Sequence, residues 1–157
     1  MSETLTCLPP KLFLRNEFGL ICDKNINYVY KDNGTVDWRK LIPPQFLVPN
    51  KQRTKETDPS KLGDKDLLIL LAGIKELASI RGYESVHYTV TAPTSDTVVA
   101  TCHIKWIPNF ETENRPIVFG GIGDATPFNT TGFGKQFLGP VAENRAFIRY
   151  CFLITVP

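Results

Sequence analysis

A chain of 157 residues has the commonest single-domain size and can bury roughly 70% of its unfolded surface, so folding requires neither a disulfide nor a metal. Its 42% hydrophobic and 22% charged residues argue against wholesale disorder. The formal net charge of +2 neither requires nor excludes nucleic acid, because binding responds to a local basic stripe rather than to the sum.

Residues 1 to 10 have no basic start and no long apolar core, so they do not read as a secretory signal. Up to residue 50, short β-like runs alternate with turn signals. Asn27-Tyr28-Val29-Tyr30 and Thr35-Val36-Asp37-Trp38 flank Asp32-Asn33-Gly34, which predicts a β-hairpin. Pro43, Pro44 and Pro49 forbid a continuous helix or central strand, leaving an extended arm, and the polar segment 51 to 63 reads as a mobile loop.

Asp64 is placed to cap a helix over 65 to 81, in which Leu67, Leu70, Leu71, Ile74, Leu77 and Ala78 recur at helical spacing. Gly82 stands where a left-handed cap belongs. The run Leu67 to Ile74 is too short to cross a bilayer. Val86, Tyr88, Val90 and Ala92 then alternate with polar residues, as do Val98, Ala100, Cys102, Ile104 and Trp106 after a turn at residues 93 to 96. A third run, Pro116 to Gly120, completes an antiparallel meander.

Residues 121 to 140 are rich in glycine and read as a loop. A second helix follows from Val141 to about Leu153, with Val141, Ile148 and Phe152 in one apolar row beside Phe147 and Cys151. The fold class is therefore α+β: one domain whose core, residues 64 to 154, runs helix-strand-strand-strand-helix. Residues 1 to 63 form an N-terminal extension of hairpin, proline arm and loop. The apolar end at Thr155-Val156-Pro157 raises the expectation of a further natural tail.

The sequence shows no catalytic constellation. Cys7, Cys22, Cys102 and Cys151 form no CxxC pair, so they read as core residues or free thiols in a reducing, cytosol-like compartment. There is no P-loop, HExxH or GxSxG sequence, and no zinc-deaminase signature; no cofactor is implied. Gly121-Ile122-Gly123-Asp124-Ala125-Thr126 lacks the third glycine and the βαβ setting of a dinucleotide site. A hairpin symmetric about Ser95 would set His87 opposite His103, but two histidines without a third ligand are more often a surface pair.

The basic residues carry more information. Arg145 and Arg149 lie about 40° apart on the second helix, bordering its apolar row, with Glu143 on the far side. Guanidinium forks placed so match adjacent phosphates, although two solvated arginines are the simpler reading from spacing alone. Arg39 and Lys40 beside the proline arm and Lys51, Arg53 and Lys55 in the polar loop form a basic cluster, although charged loops are usually solvated, while Lys105 on the polar strand face and Lys135 in the glycine-rich loop could extend a groove toward the helix arginines. Phe128, Phe133 and Phe137 would stack bases or cover the core, with core cover preferred.

Residues 121 to 130 and Val141-Ala142-Glu143-Asn144-Arg145-Ala146-Phe147-Ile148-Arg149 resemble the last strand and signature helix of the Rad/RecT/Erf-like single-strand annealing proteins, in a phage version. The resemblance spans about residues 64 to 154. It implies an ATP-independent, non-enzymatic protein that forms rings or filaments, holds single-stranded DNA in a basic groove and helps complementary strands pair in recombination and repair. Arg145 and Arg149 are then the groove residues, while Asn144 departs from the lysine common in eukaryotic relatives. The partners implied are single-stranded DNA, further copies of the chain, and a phage exonuclease or host single-strand binding protein in the bacterial cytoplasm. A protective single-strand binder and a protein-interaction module without nucleic acid are the alternatives.

Overall fold

The computed structural model describes residues 5–7, 14–17, 20–22, 26, 28–109 and 112–155. Asn27, Val156, Pro157 and the side chains of Cys7 and Phe152 lie outside the described residues. The strands in chain order are β1 (Leu5–Cys7), β2 (Leu47–Pro49), β3 (Leu67–Ile69), β4 (Tyr83–Thr94), β5 (Thr97–Trp106) and β6 (Ile117–Ala125). The α-helices are α1 (Leu71–Arg81) and α2 (Leu138–Thr155). The chain is α+β, and it divides into two compact units, Met1–Asp23 with Ala78–Pro157, and Lys24–Leu77.

In the first unit the meander forms, although on β4 only Val86 of the alternating set is buried, with Tyr88 half-buried and Val90 and Ala92 exposed. The meander belongs to a four-stranded antiparallel sheet in the order β1-β4-β5-β6. Alternate residues Ala100, Cys102, Ile104 and Trp106 are fully buried on one face, as the two-residue period requires. His87 pairs with His103 in register, the arrangement expected of a hairpin centred on Ser95. Arg81, at the end of α1, donates to the Ile107 carbonyl at 2.9 Å and to Asn109 Oδ1 at 2.9 Å, and lies over the Trp106 ring.

The third strand is longer than expected. Residues 121 to 125 are strand rather than loop, because β5 is paired along nearly its whole length, from Val98 with Ala125 to Trp106 with Ile117. Glycine signals a loop only when its freedom is the reason for it. At Gly123 the reason is close approach, since a Cβ there would lie 2.3 Å from the Ala142 carbonyl oxygen and 2.4 Å from the Ala146 nitrogen.

That approach also sets the packed face of α2. Ala142, Ala146, Phe147 and Cys151 are buried, whereas Val141 and Ile148, expected in the packed row, are only half-buried. Small side chains let the helix sit low on β5 and β6, and the row turns toward them.

The first helix is shorter than expected. Residues 64 to 66 form a 3-10 turn, Leu67–Ile69 is β3, and α1 begins only at Leu71. The competing partner is β2, against which β3 pairs antiparallel, Leu47 with Ile69 through Pro49 with Leu67. Helical spacing cannot register that pairing. Gly82 does end α1 in the left-handed region, at φ +86°, with its N–H donating to the Ala78 carbonyl at 2.9 Å.

The unit Lys24–Leu77 has its own core of Trp38, Ile42 and Leu77, with Leu41, Leu47 and Ile69 packed on it. The expected hairpin is a single bridge, Tyr30 with Val36, closed by Lys31 N–H donating to the Thr35 carbonyl at 2.8 Å. Residues 51 to 63, read as a mobile loop, are laid out in side-chain-capped turns. Asn50, Glu56 and Asp58 accept from the N–H groups of Gln52, Asp58 and Ser60 at 3.0–3.1 Å.

Candidate nucleic-acid interface

The interface is built from β6, the segment after it and α2. Helix α2 follows directly on Phe137, whose carbonyl accepts from the Val141 N–H at 3.2 Å. Pro140 is tolerated because a first-turn N–H has no partner within the helix. Once Ala142 and Ala146 are seated on Gly123, Arg145 and Arg149 fall beside β6, the last strand of the sheet.

The two arginines share one side of the helix, as their spacing predicts, but they are not unopposed. Arg145 Nη1 donates to the Asp124 carbonyl and to Asn129 Oδ1, each at 2.7 Å, and Nη2 donates to the Asn129 carbonyl at 2.6 Å. Arg149 Nη1 donates to the Ile122 carbonyl at 2.9 Å, and its guanidinium lies 3.6 Å from the Asp124 carboxylate. Ile122 and Asp124 are alternate residues of the edge strand, so the arginines cover carbonyls that a further strand would otherwise take. Arg145 is thereby occupied, whereas the Arg149 side chain stays 60% exposed with one firm bond.

Asn129 is the residue that sequence reasoning missed. Its Oδ1 accepts from the Thr126 N–H at 2.8 Å as well as from Arg145, and its Nδ2 donates to Asp124 Oδ2 at 2.7 Å. Its own N–H donates to Thr126 Oγ1 at 3.1 Å. The available signal was the turn chemistry of Thr126-Pro127-Phe128-Asn129, since asparagine commonly folds back on a nearby backbone N–H.

This turn and the one after it present aromatic rings outward. Phe128 is 96% exposed, Phe133 74% and Phe137 46%, which overturns the expectation of core cover. The network of Asn129, Asp124 and Arg145 holds the turn at residues 126 to 129 by polar bonds, so Phe128 is not needed inside. The Phe133 and Phe137 rings lie 4.6 Å apart, tilted by 43°, at the ends of a 3-10 turn over Gly132–Gln136. Lys135 is exposed on that turn, with no ion pair or hydrogen-bond partner among the described residues. Aromatic faces beside free cations are a chemistry that suits stacked bases and phosphates.

The other basic candidates are differently placed. Lys105 on β5 is ion-paired with Glu84. In the unit Lys24–Leu77, Arg39 lies 2.6 Å from the Asp64 carboxylate, donates to the Leu62 carbonyl at 2.9 Å and sits over the Trp38 ring. Asp64, expected as a helix cap, is thus an ion-pair partner. Partial burial raises its carboxyl, but hydrogen bonding and charge from Arg39, with Lys31, outweigh this and hold it below its ordinary value. Arg53 donates to the Lys65 carbonyl at 3.0 Å, while the side chains of Lys40 and Lys51 are exposed with no ion pair or hydrogen bond among the described residues.

His103 lies over Gly120, where a Cβ would come within 2.6 Å of the imidazole, and His87 faces it. Among the described residues no third histidine, cysteine or carboxylate joins them in a metal-sized group. Residues 121 to 126 lie on and just beyond an antiparallel strand, not at a strand-to-helix turn of the dinucleotide type. Burial pushes the Cys102 and Cys151 thiols up to about 12, which keeps them un-ionised, and Cys22 is exposed. No helix among the described residues is long and apolar enough to cross a membrane. Compared with family models, curated proteins and solved structures, the chain finds no match.

Proposed function

We propose that this chain binds single-stranded DNA without ATP and, as a ring or filament of copies, promotes the annealing of complementary strands. The observation that supports this best is the exposure of Phe128, Phe133 and Phe137, together with Lys135, which has no side-chain partner among the described residues, on the 3-10 turn that carries Phe133. Base–aromatic stacking contributes about 1–3 kcal/mol per base without regard to sequence, and nearby cations neutralise the backbone. Bases held by their faces keep their pairing edges open, so the incoming strand reads the sequence and no catalytic group is required. Repetition of this short site around an oligomer would give a long track from weak individual contacts.

A fluorescence assay with complementary oligonucleotides in the absence of ATP tests the reading. Faster pairing is expected. Tight binding with slowed pairing would instead mark a protective single-strand binder. The capture of Arg145 by its own chain and the net charge of +2 favour a second reading, a protein-interaction module. Elution as a monomer that does not shift with single-stranded DNA would support that module and sink the DNA reading.

A further inference from the structure

We infer that Asn129 and Arg145 are positioning residues, which hold the aromatic turn in its DNA-binding shape, while Arg149 and Lys135 supply the phosphate contacts. This deepens the single-stranded DNA reading and rests on it. The division of labour follows from what each cation already does. Arg145 spends three hydrogen bonds on its own chain, two of them to the backbone carbonyls of Asp124 and Asn129. Turning this guanidinium toward a phosphate would strip the Asp124 and Asn129 carbonyls of that donor. Arg149 has one firm bond and a side chain 60% exposed, and Lys135 has none among the described residues, so both can meet a phosphate at little cost.

Asn129 suits the positioning role because its amide has a single workable orientation. Oδ1 faces the Thr126 N–H, the Thr130 hydroxyl and Arg145, all donors, while Nδ2 faces the Asp124 carboxylate, an acceptor. One side chain thus ties the turn to β6 and to α2 at once. Phe128 stands directly before it in sequence, 96% exposed, with no packing of its own to hold it there. An aromatic ring that is ordered before DNA arrives binds more tightly than one that must be ordered by the DNA.

Two measurements test the assignment. The first is binding of a fluorescent oligothymidylate at several salt concentrations, for the full chain and its variants. Arg149→Gln and Lys135→Gln are each expected to lower the slope of log affinity against log salt by about 0.7, the value for one single-strand phosphate. Asn129→Ala, Arg145→Gln and Arg145→Lys are expected to weaken binding about tenfold with the slope unchanged. A drop in slope for Arg145→Gln, restored by Arg145→Lys, would overturn the inference, because a lysine keeps the charge and loses the fork.

The second measurement needs no DNA. Asn129→Ala and Arg145→Lys should speed chymotryptic cleavage after Phe128 and Phe133 several-fold, with the Trp106 unfolding transition unmoved. Unchanged cleavage would overturn the positioning role. If the parent chain failed to bind the oligothymidylate while cleavage responded as expected, the DNA reading would fall and the tie on the turn would stand.

Discussion

Replacing Gly123 by alanine tests the packing that places both arginines. The added Cβ would sit 2.3 Å from the Ala142 carbonyl oxygen, 2.4 Å from the Ala146 nitrogen and 2.9 Å from the Arg145 carbonyl carbon, all of them backbone atoms of α2. Ordinary contact begins at 3.4 Å, so the helix has to withdraw by about an ångström, and no side-chain rotation can relieve the clash. A gap of that size forfeits a quarter to a half of each dispersion contact, here along a face that includes the fully buried Ala142, Ala146 and Cys151. The expected loss is about 3 kcal/mol, at the upper end for overpacked cores.

The assay follows from the placement of the tryptophans, Trp106 in the unit of the sheet and Trp38 in the unit Lys24–Leu77. In a Trp38→Phe background, urea unfolding followed by fluorescence reports the sheet and α2 through Trp106 alone. Gly139→Ala is the matched control, because nothing lies within 4 Å of a Cβ there, and it should be neutral or slightly stabilising. A Gly123→Ala loss below about 1 kcal/mol would refute the close seating of α2 on β6.

Gly82→Ala should cost the same unit about 1–2 kcal/mol, because φ is +86° and a Cβ would meet the Arg15 guanidinium, a conflict measurable by the same unfolding curve. Asp64→Asn should destabilise the unit Lys24–Leu77 by on the order of 0.5 kcal/mol at neutral pH, since the pair with Arg39 is partly exposed. The Asp64 carboxyl titrates lower in the folded chain than in the unfolded one. Its stabilisation is therefore present above the ordinary value of 3.8 and lost as pH falls below it, so acid should narrow the difference between parent and variant. Thiol labelling at mildly alkaline pH, read by peptide mass, should modify Cys22 rapidly and spare Cys102 and Cys151 until urea unfolds the sheet, because burial pushes both thiols up to about 12.

The meander was legible because its pattern is local. Apolar and polar residues alternate strictly from Ala100 to Trp106, and the buried residues of β5 are the ones that alternation selects. The features that sequence misread depend on distant partners. Leu67–Ile69 look helical until β2 is there to pair with them, and Gly123 looks like a loop residue until α2 lies against the strand. The candidate site divides in the same way. Spacing places Arg145 and Arg149 on one side of α2, but their partners Asp124 and Asn129 come from a strand end and a turn. Phenylalanine usually belongs to the core, yet Phe128 and Phe133 both lie outside it, Phe128 on a turn fastened by hydrogen bonds and Phe133 on the exposed 3-10 turn that follows.

The central claim is that these exposed rings hold single-stranded DNA, and its most direct test is the affinity of Phe128→Ala with Phe133→Ala for a fluorescent oligothymidylate. Neither ring supports the core, so the Trp106 unfolding midpoint should stay in place while affinity falls at least about tenfold, as the loss of stacked bases requires. Unchanged affinity at an unchanged midpoint would contradict the account.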